Sequence, residues 1–263
     1  MFVIGGKDPI WRGKLFSSFL SSTALTVPEA PHPLQPYYDN GTIMIHLSSD
    51  GAALNGSGNV TGITNAGGAG PVFNASVVGN PVPISGGLLQ MSETAGTVTL
   101  ANPANLQGVR LMWVSTIAAT NGMRFFGSQD LGPAGADYEV RLNVVSGAFS
   151  FQLWDNEGGT GAAITTLPRI AATAGLHLYE LDFDTATNTV TAYQDGVSVA
   201  SASVTGAFST FLVDRVGQGV GTSLPLVGQL GDVLGVVLGA GSAAAIAAAR
   251  AYVKDRYPSI ALP

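Results

Sequence analysis

The chain contains no cysteine, so neither a disulfide framework nor a thiolate metal site is available to it. Charge is scarce as well. Only 11% of residues are Asp, Glu, Lys or Arg, against roughly 25% in an average soluble domain. The 11 basic residues are outnumbered by 17 acidic ones, for a net charge of -6. That balance argues against a nucleic-acid groove, which needs Lys and Arg on phosphates. No apolar run approaches the roughly 18 residues a membrane-spanning helix requires. Histidine occurs only at His32, His46 and His177, and none has a partner at helical i, i+4 spacing, so no zinc motif appears. Neither a G-x-S-x-G nucleophile turn nor a phosphate-binding Gly loop is present.

What is abundant is glycine, 35 residues in 263, together with small polar residues and apolar residues in short alternating runs. The clearest run lies between Gly175 and Ala202. His177, Tyr179, Leu181 and Phe183 fall on one face, and Leu178, Glu180 and Asp182 on the other, the period-two pattern of a strand. Residues 184–188 turn the chain, and Val190, Ala192 and Gln194 alternate with Thr191 and Tyr193. Asp195-Gly196 then marks a tight hairpin, because both residues tolerate positive φ.

Similar alternation predicts strands at Ile43–Leu47, Val60–Thr64, Gly86–Met91, Thr97–Leu100, Val109–Val114, Met123–Phe126, Tyr138–Val144 and Phe149–Leu153. Further strands are expected at Ile164–Ile170, Phe208–Val216 and Leu224–Leu238. The stretch holding Asn74, Asn80, Pro81 and Pro83 reads as irregular. About a dozen short strands with turn signals between them, and no room for a ten-residue helix from 41 to 238, indicate an antiparallel sandwich or barrel. Two curved sheets face to face would bury each strand's dry side.

The ends differ. Residues 1–40 carry Lys7, Arg12 and Lys14, then a serine-diluted apolar stretch, Leu15–Val27, that reads as an arm rather than a cleaved leader. Four prolines between Val27 and Pro36 predict an extended, non-helical strap that could anchor on a partner. Residues 242–257 predict one helix, with Ser242 as N-cap, Ile246, Ala249, Val253 and Tyr257 as its apolar stripe, and Pro258 as its stop. The expected organisation is thus an arm over 1–40 and a sandwich over 41–263 that includes this helix.

These pieces in this order resemble the laminin-G-like, concanavalin A-like jelly rolls of bacterial and phage surface proteins. The opening LSSDGAALNGSGNVTGITNAGGAGPVF places Asn59, Val60 and the Asn65–Gly70 loop on the family's pattern, with Ile63 where the family usually shows Trp. The hairpin ending in Asp195-Gly196 matches, as do Gly228 and Asp232 in the closing strand and Lys254, Arg256 and Tyr257 in the tail. The resemblance implies a jelly-roll fold over residues 43–257. It leaves function open, because that fold serves lectins, hydrolases, lyases and structural subunits.

For chemistry, Glu180, Asp182 and Asp184 form the best carboxylate series, on one strand face. The pairing and spacing a glycosidase needs, in the run this fold's hydrolases use, is absent; an ordinary wet face is expected here and at Asp137, Glu139 and Arg141. Asp155, Asn156 and Glu157 follow Trp154 in a loop, where their oxygens could hold Ca²⁺ and the indole could stack on a sugar.

The resulting expectation is a non-enzymatic structural or adhesion subunit of a phage-like particle or gene transfer agent. It would serve host attachment as a tail or head fibre or spike, homo-oligomeric, contacting other particle subunits and a cell-surface polysaccharide. It would meet no nucleic acid and insert in no membrane. The alternatives are a secreted carbohydrate-active enzyme of the same fold and a free lectin, both extracellular.

Overall fold

The computed structural model describes residues 32–117, 123–128, 138–145, 147–155, 162–205, 210–218 and 225–263. Residues 33–263 form one compact unit, and residues 1–31 of the arm expected over 1–40 lie outside the described residues.

Eighteen strands and two α-helices are present among the described residues. After α1 (Gln35–Asp39) come β1 (Ile43–Leu47), β2 (Ala52–Leu54), β3 (Asn59–Ile63), β4 (Ala75–Val78), β5 (Val82–Ser85) and β6 (Leu88–Met91). Next are β7 (Thr97–Asn105), β8 (Val109–Thr116), β9 (Arg124–Gly127), β10 (Tyr138–Val145), β11 (Ala148–Asp155) and β12 (Ala162–Thr166). The last are β13 (Ile170–Ala171), β14 (Leu176–Asp184), β15 (Thr189–Gln194), β16 (Val197–Ser203), β17 (Leu212–Val216), β18 (Gly228–Val237) and α2 (Ser242–Arg256).

Every strand pairing among the described residues is antiparallel. Sheet A runs β18-β8-β14-β15-β16, with β1 and β6 sharing the far side of β18. Sheet B runs β2-β3-β4-β7-β17-β9-β10-β11, with β12 and β13 sharing the far side of β11. Strand β5 pairs with β3 on one side and β6 on the other, linking the two sheets. This is the two-sheet jelly-roll sandwich the alternation implies.

The main core fills the space between the sheets. Trp113 of β8 is its centre, with ring centroids 5.3 Å from Phe125, 5.2 Å from Phe126, 5.5 Å from Phe151 and 5.9 Å from Tyr179. The inward set His177-Tyr179-Leu181-Phe183 reads correctly from Tyr179 onward: Tyr179, Leu181 and Phe183 are buried here with Val140 and Leu142. His177, at the strand start, is only half-buried.

A second apolar cluster lies on the outer face of sheet A. Met112, Val114, Leu178, Leu234 and Val236 meet Ala245, Ile246, Ala249 and Val253 of α2. Strands β8 and β18 are therefore covered on both faces, which is why they read as near-continuous apolar runs. Gly231 permits the contact, since a Cβ there would lie 2.7 Å from the Tyr257 hydroxyl.

Several local expectations change. The chain before Asn40 is not wholly extended: Pro36 sits in the first turn of α1, where its missing N–H costs nothing, and Leu34 and Tyr38 are buried in the second cluster. Ser242 is the first helical residue rather than the cap. Gly241 precedes it at φ +88°, and the Ser242 hydroxyl donates to Gly239 O at 2.8 Å. The stretch around Asn80 forms β4 and β5 rather than irregular chain.

Candidate functional site

The outer face of sheet B carries an extended polar arrangement. Tyr138, Val140 and Leu142 of β10 and Phe149, Phe151 and Leu153 of β11 turn inward, which sends Glu139, Arg141, Gln152 and Trp154 outward. Register aligns them across strands. Thr99 pairs with Arg215, Arg215 with Gly127, Gly127 with Glu139, and Glu139 with Trp154. That single row crosses five strands, about 19 Å at the usual inter-strand spacing. The neighbouring row runs Arg124, Arg141, Gln152, Thr166.

Within these rows the side chains interlock. Glu139 is only 1% exposed; it takes an ion pair from Arg124 at 3.4 Å and a hydrogen bond from Arg141. Burial, only partly offset by Glu139 and reinforced by the charge of Arg141, sets the Arg124 pKa below the ordinary arginine value. The Arg141 guanidinium lies 3.9 Å over the Trp154 ring. Trp154 Nε1 donates to Gln152 Oε1 at 3.2 Å, and Gln152 Nε2 donates to Thr166 Oγ1 at 3.3 Å. Trp154 is thus held in one orientation by a cation on its face and an acceptor at its edge.

A groove continues from Arg215 toward β4 and β7. Two cavities of about 420 and 310 Å³ share Val78, Thr97 and Gln218. Asn80, Glu93 and Thr94 line one; Thr99, Asp214 and Arg215 line the other. Hydroxyls, amides and carboxylates dominate the lining. The Asp214 Oδ1 atom is buried, its nearest cation the Arg215 Nε at 3.9 Å. Burial raises the Asp214 pKa, with Arg215 and the residue's own N–H opposing more weakly.

The carboxylate series of β14 does a different job. Glu180 and Asp182 share a face, as their spacing requires, but that face is under α2. Arg250 Nε donates to Glu180 Oε1 at 2.8 Å and its Nη2 to Oε2 at 3.0 Å, while Arg110 Nη1 donates to Oε2 at 3.1 Å. Arg110 also forks onto Asp182, whose other contact is the Tyr193 hydroxyl at 3.3 Å. Burial opposes the Arg110 charge, but Asp182 and then Glu180 outweigh it, and its pKa lies above the ordinary value. Asp184 stands apart, accepting from Ala186 N and the Thr187 hydroxyl in the turn.

The histidines are also engaged. His177 Nδ1 lies 2.7 Å from Asp195 Oδ2 and its Nε2 2.9 Å from the Thr173 hydroxyl. His46 lies 2.5 Å from the Tyr38 hydroxyl and 3.6 Å from Asp232, which Arg256 pairs at 3.1 Å.

Of the residues expected to bind a glycan or Ca²⁺, Trp154 is placed on the sheet B face, beside Glu139 and Arg141. Only the backbone of Asp155 is described, as the last residue of β11, and Asn156 and Glu157 lie outside the described residues. No cluster of three or more His, Cys, Asp or Glu side chains able to hold a metal occurs among the described residues. Among the same residues, no helix is long and apolar enough to cross a membrane. Arg215, Asp214 and Glu93 escaped the sequence reading, because only strand order brings β17 between β7 and β9 and so places Arg215 and Asp214 near the turn that holds Glu93.

No family model matches the sequence, and no curated protein matches it at a significant level. Solved structures do. Domain 4 of AbnA, an extracellular arabinanase from Geobacillus stearothermophilus solved with arabinotriose, matches with TM-score 0.50 and 14% identity over 79% of this chain and 98% of that one. The binding domain of botulinum neurotoxin serotype D matches with TM-score 0.50 and 11% identity, covering 80% of this chain and 52% of that one. Trypanosoma rangeli sialidase in complex with sialic acid gives TM-score 0.51 and 13% identity over 81% and 33%. The chain thus spans about half of the neurotoxin domain and a third of the sialidase. At such identities the likeness establishes the fold, a concanavalin A-like jelly-roll sandwich.

Proposed function

We propose that this chain is a non-enzymatic adhesion subunit that binds a cell-surface glycan along the outer face of sheet B. The observation that carries the reading is the row Thr99-Arg215-Glu139-Trp154, continuous with a polar groove at Arg215. Sugars are bound by planar polar side chains that meet hydroxyls and by aromatic rings that meet the apolar face of the pyranose. This face offers both, on strands rather than loops, so the groups are pre-positioned and little ordering entropy is lost on binding. Its length suits an oligosaccharide rather than one ring. The oligosaccharide and sialic acid in the neighbouring structures support the same class of ligand without fixing it.

We further assign the subunit to the surface of a phage-like particle, as a fibre or spike component. The support is a surface poor in charge, which lowers the desolvation cost of packing against other subunits. The Ca²⁺ expected at Asp155, Asn156 and Glu157 belongs to this proposal as a rim site beside Trp154.

A glycan array with the full chain tests the binding. At least one polysaccharide should bind, and Trp154→Ala and Arg215→Ala should each weaken it at least tenfold. An array without a hit, or variants that bind like wild type, would overturn it. Detection of the chain in purified particles tests the location; a chain found only free in the medium would refute it.

A further inference from the structure

Two consecutive charged residues of β17 meet in one cavity at the groove end of the sheet B row. The pairing of β17 with β7 is irregular between Val213 and Arg215, and Asp214 and Arg215 both line the cavity of about 310 Å³. The Arg215 Nε lies 3.9 Å from Asp214 Oδ1, and that oxygen is buried with no hydrogen-bond partner among the described residues. Glu93 adds a carboxylate in the adjoining cavity. Val78 lines both cavities and is 59% exposed, an apolar surface between the polar groups. Along the row no cation is in surplus. Arg124 and Arg141 both engage Glu139, and Arg215 stands beside Asp214. The sequences that join β9 to β10, β11 to β12 and β17 to β18 add Asp130, Asp137 and Glu157 and contain no Lys or Arg.

From this lining we infer that the ligand of the sheet B face is an uncharged polysaccharide, and that the groove seats one of its rings with neighbouring hydroxyls on Asp214 and Arg215. The inference rests on the glycan reading above and names the class of glycan. Ionised Asp214 only accepts hydrogen bonds, and the Arg215 guanidinium only donates them. A hydroxyl does both. Two adjacent sugar hydroxyls therefore satisfy the pair, one donating to Asp214 Oδ1 and the other accepting from Arg215. A sugar carboxylate, sulfate or phosphate can only accept, and it would face Asp214 and Glu93 as a like charge, which selects against such a ligand. An ammonium group can only donate, and it would face Arg215. Because each guanidinium of the row already has a carboxylate beside it, an acidic glycan finds no unmatched cation elsewhere on the face. Val78 offers apolar surface to the C–H face of the seated ring.

An array that holds neutral polysaccharides beside uronate-bearing, sialylated and sulfated ones tests the class, with the full chain as probe. The strongest hits should be neutral. Affinity for such a hit should change less than about threefold between roughly 0.05 and 0.5 M NaCl, because the ligand carries no charge for salt to screen. Asp214→Asn keeps the shape and replaces one carboxylate oxygen with an amide donor. Burial opposes the Asp214 charge, so the variant should fold, and an unchanged circular dichroism spectrum checks that it does. It should weaken binding about tenfold, the loss expected for a hydrogen bond to a charged group. Thr187→Ala, on the other sheet, should bind like wild type. An acidic glycan among the strongest hits, affinity that collapses with added salt, or Asp214→Asn binding like wild type would each overturn the inference. Acidic hits that are lost in Trp154→Ala and Arg215→Ala would overturn it alone and leave the glycan reading standing, whereas an array without a hit would remove both.

Discussion

Arg250 of α2 and Glu180 of β14 form a two-point fork, Nε to Oε1 at 2.8 Å and Nη2 to Oε2 at 3.0 Å, across the joint between helix and sheet A. Glu180 is fully buried and also holds Arg110. One carboxylate thus satisfies two guanidinium groups, and the helix is fixed in rotation as well as position. Removing one partner of a buried pair leaves the others uncompensated. Glu180→Ala should therefore destabilise by about 3–5 kcal/mol, measured by urea unfolding. Arg250→Ala, whose side chain is partly exposed, should cost less. If Glu180→Ala unfolds like wild type, the fork does not hold the helix.

Leu181, on the opposite face of the same strand, tests the main core. It is fully buried between the sheets. Leu181→Ala should cost about 2–5 kcal/mol, the transfer term plus the cavity left behind. The unfolding midpoint should fall with an unchanged denaturant slope. A loss below about 0.5 kcal/mol would be too small for a residue in the close-packed interior.

How much of this was legible in the chain depends on the range of the interaction. Period two placed Leu181, Tyr179 and Phe183 because alternation is local. Asp195-Gly196 read correctly for the same reason: both take positive φ, +51° and +80°, in the two-residue turn between β15 and β16. The even spacing of Glu180 and Asp182 put both on one face, but that face is not the wet one expected: Glu180 is fully buried, and its partners Arg110 and Arg250 are 70 residues distant on either side. Trp154 stood out as an aromatic beside a polar loop, yet its Arg141 partner looked like an ordinary wet-face residue. The groove at Arg215 was invisible, since β17 inserts between β7 and β9, strands of a much earlier part of the chain. Strands β4 and β5 were masked by Pro81 and Pro83, which edge and linking strands tolerate.

Asp214 makes the groove sensitive to pH. Its folded pKa is raised above the ordinary 3.8, chiefly by burial. The native state therefore holds the proton more tightly than the unfolded chain, and stability falls as pH rises through the interval between the two values. Asp214→Asn removes the ionisable group. The variant should gain on wild type as pH is raised from about 3 to about 7, across the carboxylate range, with the gain levelling off above the folded pKa. Urea midpoints at a series of pH values measure this. A variant that loses ground on wild type with rising pH would show that Arg215 stabilises the Asp214 charge more than burial opposes it.

Trp154 separates a binding role from a structural one. Its side chain is only half-buried, and its ties are the Arg141 stack and one hydrogen bond to Gln152. A cation-π contact at such a site is worth about 0.5–1 kcal/mol, and a net hydrogen bond about as much. Trp154→Ala should therefore cost no more than about 2 kcal/mol in stability and leave the sandwich folded. Its effect on glycan affinity should be far larger than that of Thr187→Ala, a turn residue on the other sheet. Arg141→Ala provides the control on mechanism. It frees the indole while leaving the ring in place, so affinity should fall less than in Trp154→Ala if the ring itself meets the sugar. Equal losses in the two variants would mean that the guanidinium is the sugar contact and the indole only its support, and no loss in either would remove this end of the row from the site.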